Sequence, residues 1–283
     1  MFADSGPPDI EPHPTWPSTD ELKSLLSESS ERLAKQPSLV SIRSDRVVVV
    51  GDTHGDFLTS QAVVKEYLGK ESTLIFLGDY VDRGPFQLEN LLFLLTKANE
   101  FPKTLFLLRG NHETPEMNKW YGFYDVVKER YGAEFYDLFS SLFSQLPVSA
   151  VMNDIFLALH GGIASSLNSI KQLAELPKGV TAPTGLYAEI LWNDPDEDID
   201  GFSPSPRGPG IFRFGTSALS RFLETNHFKA LLRSHEARRR GTSIEMGGRV
   251  YTVFSCRYYD VDPGALVIEG GDIMLRNIGR RDL

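Results

Sequence analysis

Three times in its first half the chain runs a short apolar segment straight into a polar turn, twice with a clear helix-forming stretch behind it. Arg46 to Val50 reads Arg-Val-Val-Val-Val and opens into Gly51-Asp52-Thr53-His54-Gly55, after which Ala62, Val63 and Tyr67 mark a helix. Thr73 to Leu77 opens into Gly78-Asp79-Tyr80-Val81-Asp82-Arg83-Gly84, ahead of the helical Leu88 to Ala98. Thr104 to Leu108 ends in Arg109-Gly110-Asn111-His112-Glu113. Apolar runs without polar alternation are strands buried on both faces, and strand, turn and helix in repetition build an α/β sheet with parallel strands. Ligands of such sheets bind beyond the carboxyl ends of the strands, so the polar turns must converge there.

The second half reads as mixed strands with longer loops. Ile155 to Leu159 delivers His160-Gly161-Gly162, Ala230 to Arg233 delivers Ser234-His235, and Val250 to Phe254 precedes Ser255 to Tyr259. Leu266 to Ile268 and Ile273 to Leu275 flank Glu269-Gly270-Gly271-Asp272, a hairpin pattern. The segment from Asp194 to Gly210, rich in Asp, Pro, Ser and Gly, reads as a surface loop. At the N-terminus, prolines at 7, 8, 12, 14 and 17 give a tail that orders only if Trp16 docks. Ser18 and Glu21 have capping-box spacing ahead of a helix that puts Leu22, Leu25, Leu26 and Leu33 on one face. No repeat or linker divides the chain beyond the tail, so the expectation is a tail over 1–17 and a single domain over 18–283.

Composition excludes several classes. With 29 basic against 38 acidic side chains the net charge is −9, which argues against a nucleic-acid binder. A single cysteine rules out an internal disulfide and a cysteine-only zinc site, and fits a reducing compartment. No apolar run approaches the roughly 20 residues that span a bilayer, and no signal peptide opens the chain, so the expected location is cytoplasmic, without membrane contact.

The turns supply Asp52, His54, Asp79, Asn111, His160 and His235, oxygen and imidazole donors that suit Mn, Fe or Zn. Asp79, on the middle turn, is placed to bridge two ions, with Asp52 and His54 on one side and Asn111, His160 and His235 on the other. Two ions roughly 3.5–4 Å apart deprotonate a shared water and clamp both oxygens of an in-line displacement at phosphorus. His112 and Asp82 are left for proton transfer, as a histidine held by a carboxylate and able to protonate a leaving alkoxide. Arg83 and Arg207 offer the planar donors a phosphoryl group requires.

Gly-Asp-Thr-His-Gly-Asp-Phe, Gly-Asp-Tyr-Val-Asp-Arg-Gly, Leu-Arg-Gly-Asn-His-Glu-Thr and His-Gly-Gly, in this order, resemble the motifs of the phosphoprotein phosphatases, the metal-dependent serine/threonine protein phosphatases of types 1 and 2A. Tyr121 to Asp125, Leu191 to Pro195, Phe212 to Gly215 and Arg233-Ser234-His235 extend the likeness, which covers about Leu22 to Arg276. The resemblance implies a sandwich of two mixed sheets flanked by helices, with two divalent or trivalent metal ions at the strand ends. It implies the same division of ligands, His112 as general acid oriented by Asp82, and Arg83, Arg207, Asn111 and Tyr259 around the phosphate. The implied reaction is hydrolysis of phosphoserine and phosphothreonine in proteins or peptides by a hydroxide bridging the metals, in a free-standing subunit for which regulatory partners are possible but not indicated. Competing readings are a dinucleoside polyphosphate hydrolase, whose relatives usually lack an acid at Asp82 and carry Asp at Glu113, and an inactive binding module.

The chain departs from the family pattern at Asp56, where relatives have glutamine, and at Ser255-Cys256-Arg257-Tyr258-Tyr259, where they have Ser-Ala-Pro-Asn-Tyr; Asp260 replaces a common cysteine. Other residues read as structural. His227 follows a helix over Thr216 to Asn226 as a partner of its dipole, and Cys256 is a small core residue. Arg238-Arg239-Arg240 is a solvated turn, its positive charge able to attract phosphorylated segments. Glu236 either supports a metal ligand or is exposed. Trp120, Tyr121, Phe123 and Tyr124 lie on one amphipathic helix, mostly in the core.

Overall fold

In the computed structural model, which describes residues 16–278, two mixed β-sheets enclose one apolar layer and helices cover their outer faces. Strand Arg46–Val50 lies in the middle of a five-stranded sheet, parallel to Thr73–Phe76, which is parallel to Leu105–Leu107. Its other neighbour is the hairpin of Gly264–Glu269 and Asp272–Asn277, paired antiparallel. All four valines are fully buried, because successive side chains point to opposite faces. Val47 and Val49 enter the layer between the sheets, whereas Val48 and Val50 meet the outer helices.

The second sheet has six strands in the order Leu39–Ile42, Ser149–Met152, Phe156–Leu159, Ala230–Arg233, Val250–Val253 and Thr242–Glu245. Phe156–Leu159, Ala230–Arg233 and Val250–Val253 run parallel, so their carboxyl ends leave on the same side. The two sheets touch at that side. Gly51 donates its backbone N–H to Ser255 Oγ at 2.9 Å, and the backbone N–H of Ser255 donates to the carbonyl of Asp52 at 3.0 Å. A Cβ at Gly51 would collide with the Val253 carbonyl, so only glycine permits this approach.

Helix Thr19–Ala34 carries the expected capping box: Ser18 Oγ accepts from Glu21 N at 3.3 Å, and Glu21 Oε2 accepts from Ser18 N at 2.8 Å. Trp16 docks against the outer core with the Arg130 guanidinium 4.4 Å from its ring centroid, and Tyr131 donates to the Pro17 carbonyl at 2.9 Å. The rest of the proline-rich tail, residues 1–15, lies outside the described residues. Among the described residues, no helix is long and apolar enough to cross a membrane.

Two expectations are corrected. The segment read as an unstructured loop over 194–210 contributes Asp194–Pro195 and Phe202–Pro204, which pair with Phe212–Phe214 in a small third sheet. The aromatic helix is two helices, Pro115–Tyr121 and Phe123–Tyr131, broken at Gly122 with φ 109°. The break turns Trp120 outward, 78% exposed, and leaves Tyr121 at 41%, while Phe123 alone is fully buried.

Candidate active site

The cleft lies where the parallel strands of both sheets end. It is an open cavity of roughly 400 Å³ whose lining includes Asp52, His54, Asp79, Arg83, Asn111, His112, Arg207, His235 and Tyr259. His160 and Asp82 lie fully buried beside it. The structure thus gathers the residues that the sequence places on separate turns. Met117, Tyr121, Trp192, Ala237 and Phe254 also line the cavity.

The backbone is bent hard to achieve this. His54 has φ 40°, Asp79 55°, Asp82 68°, Arg83 71° and His235 71°. Such left-handed conformations are rare for residues other than glycine, Asn and Asp, and they cluster at functional sites. The second turn is held by Glu113, whose carboxylate accepts from the backbone N–H of Asp79 at 2.8 Å, Tyr80 at 2.9 Å and Gly110 at 2.8 Å. One buried side chain thereby ties the second turn to the third.

The donor atoms fall into two groups, His54, Asp79 and His112 on one side and Asp79, His160 and His235 on the other. Within each, three ligand atoms lie within 4.8 Å of one another, and Asp79 is common to both. His54 gives its Nδ1 to the Val81 carbonyl at 2.9 Å, leaving Nε2 to face Asp79 Oδ2 at 3.5 Å and Asp52 Oδ2 at 3.7 Å. His160 gives its Nδ1 to the Leu77 carbonyl at 3.0 Å, so its Nε2 faces Asn111 Oδ1 at 2.9 Å, His235 Nδ1 at 3.2 Å and Asp79 Oδ1 at 3.4 Å.

These residues fit metal ions. With its Nδ1 proton on Leu77, His160 turns Nε2 toward Asn111 Oδ1, His235 Nδ1 and Asp79 Oδ1, a place that calls for a cation, either a proton on Nε2 or a metal ion in its stead. Asp52 Oδ2 and His235 Nε2 are buried without a hydrogen-bond partner among the described residues, the kind of orphan that buried polar groups otherwise avoid. Burial and the Asp79 charge push the Asp52 carboxyl up. Burial, with His112 nearby, lowers His54 to about 3, and burial with His160 lowers His235 well below the ordinary histidine range, so both are neutral donors. Burial also opposes charge on His160, but Asp79 outweighs it and raises this histidine to about 9.

His112 donates through Nδ1 to Asp82 Oδ2 at 2.7 Å. Asp82 also accepts from Asn118 Nδ2 at 3.0 Å and from the backbone N–H of Phe123 at 3.0 Å, and Tyr136 donates to Asn118 Oδ1 at 2.8 Å. Burial works against protonating His112, but Asp79 and Asp82 together raise its pKa. The Arg83 guanidinium lies over the Tyr121 ring at 4.1 Å and 5.8 Å from that of Tyr259. Tyr259 stacks on His54 with ring centroids 5.4 Å apart. Arg207 reaches the cavity wall, where it pairs with Asp194.

Asn118 and Tyr136 carry no sequence signal that points to the site, and Tyr121, read as core, reaches it only because Gly122 stops the helix. Arg233, which the motif match names without a role, is fully buried and donates to Asp194 Oδ1 at 2.7 Å and Glu236 Oε2 at 2.8 Å. Glu236 therefore supports the strand end that carries His235, one of its two open readings. Arg238 corrects another: it pairs with Glu236 at 2.9 Å and Glu245 at 2.7 Å rather than lying free in solvent. Cys256 is fully buried, and burial pushes its thiol up, as suits a core residue.

Comparison with known proteins gives the same architecture. The family model of the calcineurin-like phosphoesterases matches residues 45–239. A serine/threonine phosphatase from Saccharomyces cerevisiae, described as similar to human phosphatase PP5, superposes with a TM-score of 0.88 at 29% identity, over 93% of this chain and 90% of its own. A cold-active protein-tyrosine phosphatase of a Shewanella species gives 0.61 at 19% identity, over 88% of this chain and 84% of its own, a likeness of fold. A putative diadenosine tetraphosphatase gives 0.50 at 18% identity, over 86% of this chain and 99% of its own. With its motifs on the strand ends and its donors gathered there, the chain belongs to the calcineurin-like phosphoesterases, and its likeness within them is to the phosphoprotein phosphatases.

Proposed function

We propose that the protein removes phosphate from phosphoserine and phosphothreonine in proteins or peptides, using two metal ions held by Asp52, His54, Asp79, Asn111, His160 and His235. The observation that carries this reading is the His112–Asp82 pair, 2.7 Å long and buried beside the shared ligand Asp79. Metal ions in such a site acidify a water and neutralise charge on the phosphoryl oxygens. Mn, Fe and Zn all match the donor set.

The side chains account for the remaining steps. Arg83, lying on Tyr121, and Arg207, which lines the same cavity, bind phosphoryl oxygens together with Asn111 and Tyr259. Asp82 holds the Nδ1 proton of His112 and orients the ring. His112 then gives its Nε2 proton to the departing seryl or threonyl oxygen, and the Asp79 and Asp82 carboxylates favour the protonated ring that this requires. An open cavity that grips little beyond the phosphate suits a phosphoryl group presented on a protein surface. A cytoplasmic setting and independence from regulatory subunits belong to the same proposal.

The test is turnover of a panel of phosphoserine and phosphothreonine peptides against phosphotyrosine peptides and diadenosine tetraphosphate, with added Mn and a chelator control. Faster turnover of the serine and threonine esters, lost with chelator, is expected. Preference for the dinucleotide would instead make the protein a dinucleoside polyphosphate hydrolase, and no turnover of any ester would make it a binding module.

A further inference from the structure

Asp56 and Arg257, two positions at which the chain departs from the family pattern, are partners in the fold. Asp56 is fully buried, and its Oδ2 accepts from the backbone N–H of Arg257 at 2.9 Å and from Arg257 Nε at 2.9 Å. Arg257 reaches further, donating from its terminal nitrogen to Thr59 Oγ1 at 2.8 Å. Asp56 is also the N-cap of helix Phe57–Tyr67, accepting from Thr59 N at 3.0 Å through Oδ1. A cap needs one oxygen, and Ser or Asn supplies it as well as Asp. The second oxygen also accepts from Thr59 Oγ1 at 2.7 Å, and the carboxylate's charge serves the ion pair. Half-burying an arginine against a buried carboxylate pins two backbone segments at fixed distance.

The segments so joined are those on which the cavity depends. Asp56 lies two residues after His54, and Arg257 opens the single turn Arg257–Tyr259 that ends in Tyr259. Tyr259 packs on His54 at 5.4 Å and on Phe254 at 4.9 Å, and it faces Arg83 at 5.8 Å. The turn has no side-chain cap of its own and is followed by Asp260 at φ 55°, so the Asp56 carboxylate is its principal anchor.

We propose that the Asp56–Arg257 pair is a positioning device that fixes the Arg257–Tyr259 turn against the loop carrying His54, and so sets where Tyr259 stands over the phosphate-binding end of the cavity. The proposal rests on the phosphatase reading, which places Tyr259 beside the phosphate. In this chain an ion pair performs the anchoring for which relatives, with Gln and Pro at these two positions, have no charges.

Steady-state hydrolysis of p-nitrophenyl phosphate with added Mn tests it in Asp56→Asn, Arg257→Gln and Arg257→Lys, each alone and in a Tyr259→Ala background, alongside thermal melting. Asp56→Asn and Arg257→Gln are expected to raise KM about tenfold while kcat changes about twofold or less, a size typical of neighbours coupled in one network. Arg257→Lys recovers part of the loss. With Tyr259 truncated, breaking the pair leaves KM where Tyr259→Ala alone put it, even though Tm still falls. If the KM effect persists without Tyr259, or if Tm falls in every variant with no change in KM, the pair is structural only and the proposal is wrong. A second measurement is independent of turnover: trypsin should cut the native protein after Arg257 faster in Asp56→Asn than in the wild type, and equal rates would overturn the tether. If wild type hydrolyses no phosphomonoester, the functional reading falls while the protease comparison still decides the tether.

Discussion

Asp79 carries more of the site than any other residue. It contributes to both groups of donors, accepts from the backbone N–H of His112 at 2.9 Å, and sits at φ 55° on a turn held by Glu113. Burial would raise its carboxyl, but His160 and His112 hold it well below the usual carboxylate range. Removing it as Asp79→Ala is expected to abolish both metal sites, whereas His235→Ala should cost one; metal stoichiometry by elemental analysis separates the two, and full occupancy in Asp79→Ala would rule out a bridging role. His112 is the ambiguous neighbour, because its Nε2 stands 4.0 Å from Asp79 Oδ2 and it belongs to one donor group by distance. If it is the acid, His112→Asn lowers kcat about 10²–10⁴-fold with metal content unchanged; a drop in metal content would make it a ligand. That these residues converge was legible in the sequence because each follows an apolar run whose end fixes a strand tip. Their left-handed backbones were not, since sterics at His54, Asp82 and His235 are overruled by hydrogen bonds from distant segments.

At the scale of elements, the strands of the first half were readable because a run such as Val47 to Val50 is compatible only with burial on both faces. Ser149–Met152, Leu39–Ile42 and the weakly buried Thr242–Glu245 were not read as strands, because short segments at or near a sheet's edge carry little pattern of their own. Gly122 shows the other kind of miss. The apolar spacing from Trp120 to Tyr124 suits one amphipathic helix, yet the left-handed glycine breaks it, presents Tyr121 to Arg83 and aims the Phe123 N–H at Asp82 Oδ1. A Cβ at Gly122 would meet only Gln87 Nε2, at 3.7 Å, so space is available and the cost of Gly122→Ala is conformational. That cost should be about 1–2 kcal/mol. Because the break also positions Asp82, kcat is expected to fall with stability. Unchanged kcat at reduced Tm would show that the break shapes only the surface.

Over the whole molecule, the layers are also stitched together by residues outside the cavity lining, and Lys178 marks that seam. Its Nζ donates to the Gln145 carbonyl at 2.6 Å, the next residue's N–H bonds the Ser144 carbonyl at 3.0 Å, and Arg109 reaches the carbonyl of Val180 at 2.6 Å. These bonds tie the segment that covers the six-stranded sheet to the end of the helix Tyr136–Phe143 on the other sheet's outer face. No periodicity announces such a seam, since its contacts are backbone carbonyls brought together by the fold. Burial, with the Arg109 charge facing it, lowers Lys178 from 10.5 to about 7. Between about pH 7 and 10 the unfolded chain therefore binds a proton here that the folded chain releases, so this group's contribution to stability rises with pH and is level below that window. Lys178→Met keeps the apolar stem and removes the titration. Other ionising groups are common to both proteins and cancel in the comparison. The Tm of Lys178→Met minus that of wild type is thus expected to fall steadily from pH 7 to pH 10, whatever its starting sign. A difference independent of pH would mean that the amine keeps its proton in the fold, and that the seam holds a charged lysine between the layers.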